Sequence, residues 1–236
     1  MEIMIRHREN NGNDSVVCLA ENAISSNLYG GWMEYLSTTE LYGGQTSFGE
    51  IPRLQRYSCD GGEFFGKRAG WKDDGNDRWI ARKYDDGLLE IQSFVQAYFD
   101  THISPMNIPG VSPGITFDSC LTNYYRSVKD SIKPHRDSEV IFGNNPTVMI
   151  LSFGLPREII FERILYDKDN LNSIKRDKAF CGGQKTTRIM MPARSILFMG
   201  GEVQKYYSHE IKKVFGDVLP EDEGTRYSLT FRQYHT

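Results

Sequence analysis

In the polar stretch YRSVKDSIKPHRDSEV a histidine stands two residues before an aspartate, His135 and Asp137. Residues two apart on an extended strand point to the same side, so the pair can offer an imidazole nitrogen and a carboxylate oxygen to one metal ion. Two solvated loop residues would be spelled the same way, because so short a motif arises easily by chance. A 2-His-1-carboxylate set binds Fe(II) on one face of its octahedron and leaves the other positions open. The third ligand must then come from a distant strand. Among the other histidines, His7 sits in the charged N-terminal segment, His102 at a helix end, and His235 next to the last residue of the sequence. His209, in YYSHEIKK, begins a β-like run and is the best-placed candidate.

Further along, RYSLTFR alternates Arg226, Ser228, Thr230 and Arg232 with Tyr227, Leu229 and Phe231. A half-buried strand with solvated arginines would show this pattern. A strand facing a metal site would show it too, because a dicarboxylate bound beside the metal needs a guanidinium to pair bidentately with its far end.

The chain that must position these groups has 236 residues, enough for one large domain or two small ones with a substantial core. Its 39% hydrophobic and 12% aromatic content fits a folded protein rather than a disordered one. A net charge of −3 gives no global attraction to nucleic acid, which leaves a local basic groove as the only electrostatic route. The four cysteines (Cys18, Cys59, Cys120, Cys181) show no C-x-x-C spacing, which argues against a zinc knuckle or a disulfide framework. No apolar run is long enough to span a bilayer, and MEIMIRHREN lacks the apolar centre of a signal peptide. The expectation is an intracellular monomer, cytoplasmic or nuclear, neither secreted nor in a membrane.

Apolar spacing predicts a helix over Ser25–Ser37 with a serine cap, and a second over Leu88–His102 with Gly87 at its start. The Gly- and Asp-rich stretch between them predicts hairpins and loops. After Pro113 come short β-like runs (ITFDSCLTNYY, TVMILSFG, EIIFERIL, TTRIMM, SILFMG, SHEIKKV, RYSLTFRQY) separated by turn residues. The predicted fold class is α+β: a β-sandwich or jelly roll with N-terminal helices packed on one sheet. Residues 1–112 would carry the helices and 113–236 the β core, in one structural domain. The polar stretch Asp167–Gln184 is expected to be a surface insertion.

In order along the chain, several segments resemble the AlkB-like Fe(II)/2-oxoglutarate dioxygenases. PRLQRYSCDGG (Pro52–Gly62) resembles that family's nucleotide-recognition lid, and NYY (Asn123–Tyr125) its N-x-Y. HRDSE resembles the iron segment followed by an acidic residue, and LSFGLPREIIFE a strand pair of the same family. SILFMGGEVQKYYSHEI resembles the region that ends in the distal iron histidine, and RYSLTFR the closing R-x-S-x-T-x-R. The sequence departs from the pattern at Cys59 and Asp60 after Tyr57, at Ala193-Arg194 before Ser195, and in the length of the 167–184 insertion.

The resemblance implies a double-stranded β-helix (cupin-like) core. It also implies that Fe(II) is held by His135, Asp137 and His209, and that 2-oxoglutarate is bound by Asn123, Tyr125 and Arg226. Arg232 would stand beside the cosubstrate or support the iron aspartate. With O2, the resemblance implies removal of N-methyl groups from alkylated DNA or RNA bases of the 1-methyladenine and 3-methylcytosine type. Formaldehyde, succinate and CO2 would be released. The base would leave its stack and lie between His135 and Phe64 or Phe65, with Glu139 accepting from its exocyclic amine. EFF could equally be two core aromatics, and Glu139 an ordinary surface acid. Arg53, Arg56, Lys67, Arg68, Lys72 and Arg136 are the candidate phosphate contacts, and Tyr57 belongs to the lid. Two other functions stay open: a 2-oxoglutarate-dependent hydroxylase or demethylase of a protein or small molecule, and a non-catalytic jelly-roll binding module.

Overall fold

A computed structural model describes residues 1–46, 49–59, 64–66, 77–171, 173–215 and 224–234. Its frame is two antiparallel sheets. The larger runs, in spatial order, β1 (Glu2–Arg8), β2 (Asp14–Ala20), β11 (Ser195–Gly201), β8 (Val148–Gly154), β13 (Arg226–Arg232), β6 (Ser119–Tyr125) and β5 (Leu54–Cys59). The smaller runs β10 (Thr186–Met191), β9 (Arg157–Arg163), β12 (Tyr207–Ile211) and β7 (Ile132–His135). A short hairpin joins β3 (Gln45–Thr46) to β4 (Gly49–Glu50). The large antiparallel sheets and few helices give the expected jelly-roll core.

The period of two sorts each strand of the large sheet between two cores. Met149, Leu151 and Phe153 of β8, with Tyr227, Leu229 and Phe231 of β13, face the helices. Val148 and Ile150 of β8, with Leu197 and Met199 of β11, face Ile159, Phe161, Ile189 and Met191 of the smaller sheet. Each such side chain contributes about 1.5–3 kcal/mol when buried. Covered on both faces, β13 is buried along its whole length, so its arginines are not solvated: Arg226 is 1% exposed and Arg232 5%.

Helix α1 (Ser26–Thr38) starts where predicted, with the Ser25 hydroxyl accepting from the Leu28 amide. Helix α2 (Asp86–Tyr98) starts before Gly87, because the Asp85 carboxylate caps the Leu88 amide at 3.0 Å. Gly87 serves the packing of the two helices instead: a β-carbon there would lie 2.5 Å from the Tyr35 ring. A π turn over Phe99–Ile103 extends α2.

Besides the helices and the hairpin-and-loop stretch expected in residues 1–112, that part of the chain supplies three strands of the large sheet, β1, β2 and β5. EIMIRHR is a mostly exposed edge strand that ends in three basic residues, and DSVVCLA is a short run buried throughout between β1 and β11. The predicted strand from Ile115 begins only at Ser119.

Two buried arginines fasten the smaller sheet. Arg163 on β9 makes a bidentate pair with Glu9 at the β1–β2 turn, both contacts 2.7 Å. Arg157 donates to the carbonyls of Asp130, just before β7, and Lys212, just after β12. That second tie holds together the two strands that carry His135 and His209.

Candidate active site

His135 closes β7 and lies opposite His209 in the β12 register, with ring centroids 4.2 Å apart. Asp137 lies past the end of β7, so strand periodicity does not bring it in. Its amide donates to Gln204 Oε1 at 2.9 Å, and its Oδ1 accepts from Arg232 Nη2 at 2.6 Å. Gln204 belongs to a one-turn helix, α4 (Val203–Tyr206), just before β12. All three predicted ligands line one cavity of about 1140 Å³ between the sheets.

The surroundings put each group in the protonation state a metal requires. Burial lowers the His209 pKa to about 3, helped by His135 and Arg232. Burial likewise holds His135 below the ordinary histidine value. Burial pushes Asp137 up, but the Arg232 guanidinium beside it outweighs this, and its pKa ends below the usual carboxylate value. Two neutral imidazoles and one carboxylate are therefore available at neutral pH.

Among the described residues, no three donor side chains are already gathered around a metal-sized point. Part of the reason is visible: His135 Nδ1 lies 2.9 Å from the Lys133 carbonyl, and one Asp137 oxygen is taken by Arg232. The buried atoms Asp137 Oδ2 and His209 Nδ1 have no protein partner. A nitrogen and oxygen donor set with unpartnered buried atoms fits Fe(II).

On the facing sheet, register places Asn123 opposite Ser228 and Tyr125 opposite Arg226. All four line the cavity, Ser228 and Arg226 from β13 and Asn123 and Tyr125 from β6. Arg226 Nε donates to Ser152 Oγ at 3.2 Å, its Cζ lies 5.2 Å from the Tyr125 ring centroid, and Nη1 has no protein partner. A buried guanidinium with a spare N–H suits a carboxylate. Arg232 does not share that position, because it is committed to Asp137.

The family model "2OG-Fe(II) oxygenase superfamily" matches residues 17–232. The chain belongs to that superfamily. Its members use Fe(II), 2-oxoglutarate and O2, and AlkB homologues stand among this chain's relatives. It is 31% identical over 133 residues to the Arabidopsis thaliana "DNA oxidative demethylase ALKBH2", covering 52% of this chain and 39% of that one. It is 29% identical over 119 residues to the Homo sapiens "Alpha-ketoglutarate-dependent dioxygenase alkB homolog 3", covering 50% and 37%. The chain thus matches about two fifths of the length of these curated relatives. Among solved structures, OsALKBH1 shares the fold with a TM-score of 0.56 at 15% identity, covering 92% of this chain and 97% of that one. A 2OG-Fe(II) oxygenase family oxidoreductase from Burkholderia pseudomallei gives 0.52 at 11% identity, covering 92% and 84%. No helix among the described residues is long and apolar enough to cross a membrane.

The superfamily member's predicted substrate side is only partly brought together. Phe65 lines the cavity, stacked on Trp79 with centroids 4.6 Å apart, whereas Phe64 is half-buried and does not line it. Tyr57 packs against Phe65 in a small core and does not reach the cavity. Arg53 and Arg136 line the cavity but are turned to protein groups rather than outward. Arg53 donates to Asn123 Oδ1 and the Ser131 carbonyl, and Arg136 to the carbonyls of Leu171, Gln204 and Lys205. Arg56 pairs with Asp85 away from the cavity. Glu139 lines the cavity in α3 (Glu139–Phe142), near Lys205 and the Tyr166 hydroxyl. Asp60–Gly62, Lys67, Arg68, Lys72 and His235 lie outside the described residues.

The 167–184 insertion is not wholly a surface feature, since Leu171 lines the cavity and its carbonyl takes Arg136. Sequence reasoning missed Gln55, Arg78, Trp79 and Gln204. Gln55 stands opposite Asn123 in the β5–β6 register, a long-range pairing that the local sequence does not signal.

Proposed function

We propose that this chain is an Fe(II)/2-oxoglutarate-dependent oxidative dealkylase that removes N-methyl groups from alkylated nucleic-acid bases. The supporting observation is the cavity itself, which has the His135–Asp137–His209 donors on one side, Arg226 with Asn123 and Tyr125 on another, and the Phe65–Trp79 stack at its edge. The similarity to a DNA oxidative demethylase agrees with it. Bound together, Fe(II) and 2-oxoglutarate supply the oxidation: O2 is reduced, the cosubstrate leaves as succinate and CO2, and the N-methyl carbon is hydroxylated.

The chain's own residues do the rest. His135, Asp137 and His209 hold the metal. Arg226 takes the far carboxylate of the cosubstrate, and Asn123 and Tyr125 add hydrogen bonds. An extruded base, or one from a single strand, lies flat between the His135 ring and the Phe65–Trp79 wall. Glu139 accepts from its exocyclic amine. The hydroxymethyl product then divides into formaldehyde and the restored base. The test is mass analysis of oligonucleotides carrying 1-methyladenine or 3-methylcytosine, incubated with protein, Fe(II), ascorbate and 2-oxoglutarate. Loss of one methyl mass is expected. An unchanged mass across single- and double-stranded DNA and RNA overturns the proposal.

One observation favours a second reading, a hydroxylase or demethylase of a protein or small molecule. Arg53 and Arg136, two of the six expected phosphate contacts, are spent on protein groups, and the net charge is −3. Succinate formation that methylated strands neither stimulate nor inhibit would select it.

A further inference from the structure

A chain of buried polar side chains runs from the cavity wall to Asn123. Arg78 Nη1 lies 3.4 Å from Gln55 Oε1, Gln55 Nε2 lies 2.8 Å from Asn123 Oδ1, and Arg53 Nε lies 2.9 Å from that same oxygen. At one end, Arg78 precedes Trp79 and its Cζ sits 4.3 Å from that ring. Gly44 backs its guanidinium so closely that a β-carbon there would be 2.8 Å away. Gln55 is 0% exposed, Asn123 5% and Arg78 6%, so water does not compete for these contacts.

The donor inventory sets the direction of every amide in this chain. A guanidinium has only donors, so the Gln55 atom facing Arg78 is the oxygen. The Gln55 atom facing Asn123 is then the NH2, and the Asn123 atom it meets must be an oxygen. Arg53, also donor-only, demands the same of Asn123 from another side. Two arginines thereby assign amide orientations that X–N and X–O similarity would otherwise leave open. What remains of Asn123 is its NH2. One hydrogen has only a long contact, 3.5 Å, to the Leu121 carbonyl of its own strand. Asn123 itself lines the cavity.

We infer that Gln55 and Arg78 are positioning residues that hold the Asn123 NH2 toward the cosubstrate and tie it to the Trp79 wall. This rests on the proposed role of Asn123 as a 2-oxoglutarate contact. They act on the cosubstrate through Asn123. Losing the Gln55 donor leaves Arg53 as the remaining donor to the Asn123 oxygen and loosens the amide, and losing Arg78 frees the Gln55 amide to turn one step back. Because the relay ends beside Trp79, cosubstrate binding and the placement of that wall are linked, and linkage acts in both directions.

The experiment titrates 2-oxoglutarate into the Mn(II)-loaded full chain, with Mn(II) affinity measured separately. Gln55→Met and Arg78→Met are each expected to weaken 2-oxoglutarate about tenfold, roughly one buried hydrogen bond, with Mn(II) affinity unchanged. Arg78→Lys keeps a donor and should recover most of the loss, and the double variant should be little worse than either single one. Addition of 2-oxoglutarate should also change Trp79 emission, taken as the difference between parent and Trp79→Phe, and Gln55→Met should abolish that change. Asn123→Ala is the control. If it weakens 2-oxoglutarate while Gln55→Met and Arg78→Met do not, the inference is wrong and the role of Asn123 stands. If Asn123→Ala also has no effect, the role of Asn123 falls and takes the inference with it. Should Gln55→Met fail to fold, the Arg78→Met and Arg78→Lys comparison decides.

Discussion

Arg232 and Asp137 form a buried ion pair, Nη2 to Oδ1 at 2.6 Å, that leaves the other carboxylate oxygen without a protein partner. One oxygen is thus oriented by a fixed cation and the other is left for a ligand. Arg232→Met breaks the pair and strands a buried carboxylate, a change that costs about 3–5 kcal/mol in such sites. Since a bound cation would compensate the stranded charge, the loss should be smaller in the Mn(II)-loaded protein. Urea unfolding with and without Mn(II) measures both. Equal losses in the two states would separate Asp137 from metal binding.

Arg226→Lys keeps the charge but loses the planar fork and the second donor. The expected result is 2-oxoglutarate binding weakened by one to two orders of magnitude, about 1.4–3 kcal/mol. Mn(II) binding should be unaffected, because Arg226 makes no contact with His135, Asp137 or His209. Calorimetric titration of the Mn(II)-loaded protein reads the two separately.

The Phe65–Trp79 stack predicts a different split. Trp79→Ala should weaken binding of a methylated single strand by about 1–3 kcal/mol, the worth of one base stacked on an aromatic ring. Its effect on cosubstrate binding should be smaller than its effect on the strand. Fluorescence anisotropy of a labelled oligonucleotide gives the first quantity, and retained strand affinity would remove Trp79 from the substrate wall.

Glu202 sets an acid limit on stability away from the metal ligands. Burial pushes its carboxyl up, but Asn11, Asn13 and Lys205 donate to it and bring the net pKa below the ordinary 4.5. A depressed folded pKa means that its contribution is complete above about 4.5 and is lost as pH falls through the folded value. Glu202→Gln should therefore be less stable than the parent at neutral pH, with the gap closing as the solution is acidified. Urea midpoints across that range test it, and a gap that widens on acidification would contradict the sign.

Much of the β core was legible from the sequence, because its strands are short apolar or alternating runs between turn residues. β8, β9, β10, β11 and β13 fall on the predicted segments. The first two strands were obscured for opposite reasons: β1 by its charged edge residues, β2 by a run too short to separate strand from helix. At the site, His135, His209, Asn123 and Arg226 came from spacing and resemblance; register aligns them within each sheet, and the packing of the two sheets brings them to one cavity. Arg53 and Arg136 were misjudged because charge counts cannot tell an arginine facing solvent from one capturing carbonyls. Gln55, Arg78 and Gln204 were invisible because their roles depend on which long-range neighbour each meets.

The strand carrying both Arg226 and Arg232 is the last of the described strands in chain order, yet it lies in the interior of the large sheet between β8 and β6. Pairings of such long sequence separation form slowly, after the entropy of closing the intervening loops has been met. A growing chain that has already made His135, Asp137 and His209 therefore lacks both the cation that holds Asp137 and the one expected to hold the cosubstrate. The insertion of β13 between β8 and β6 therefore brings the Asp137 partner and the Arg226 guanidinium to the cavity in one step.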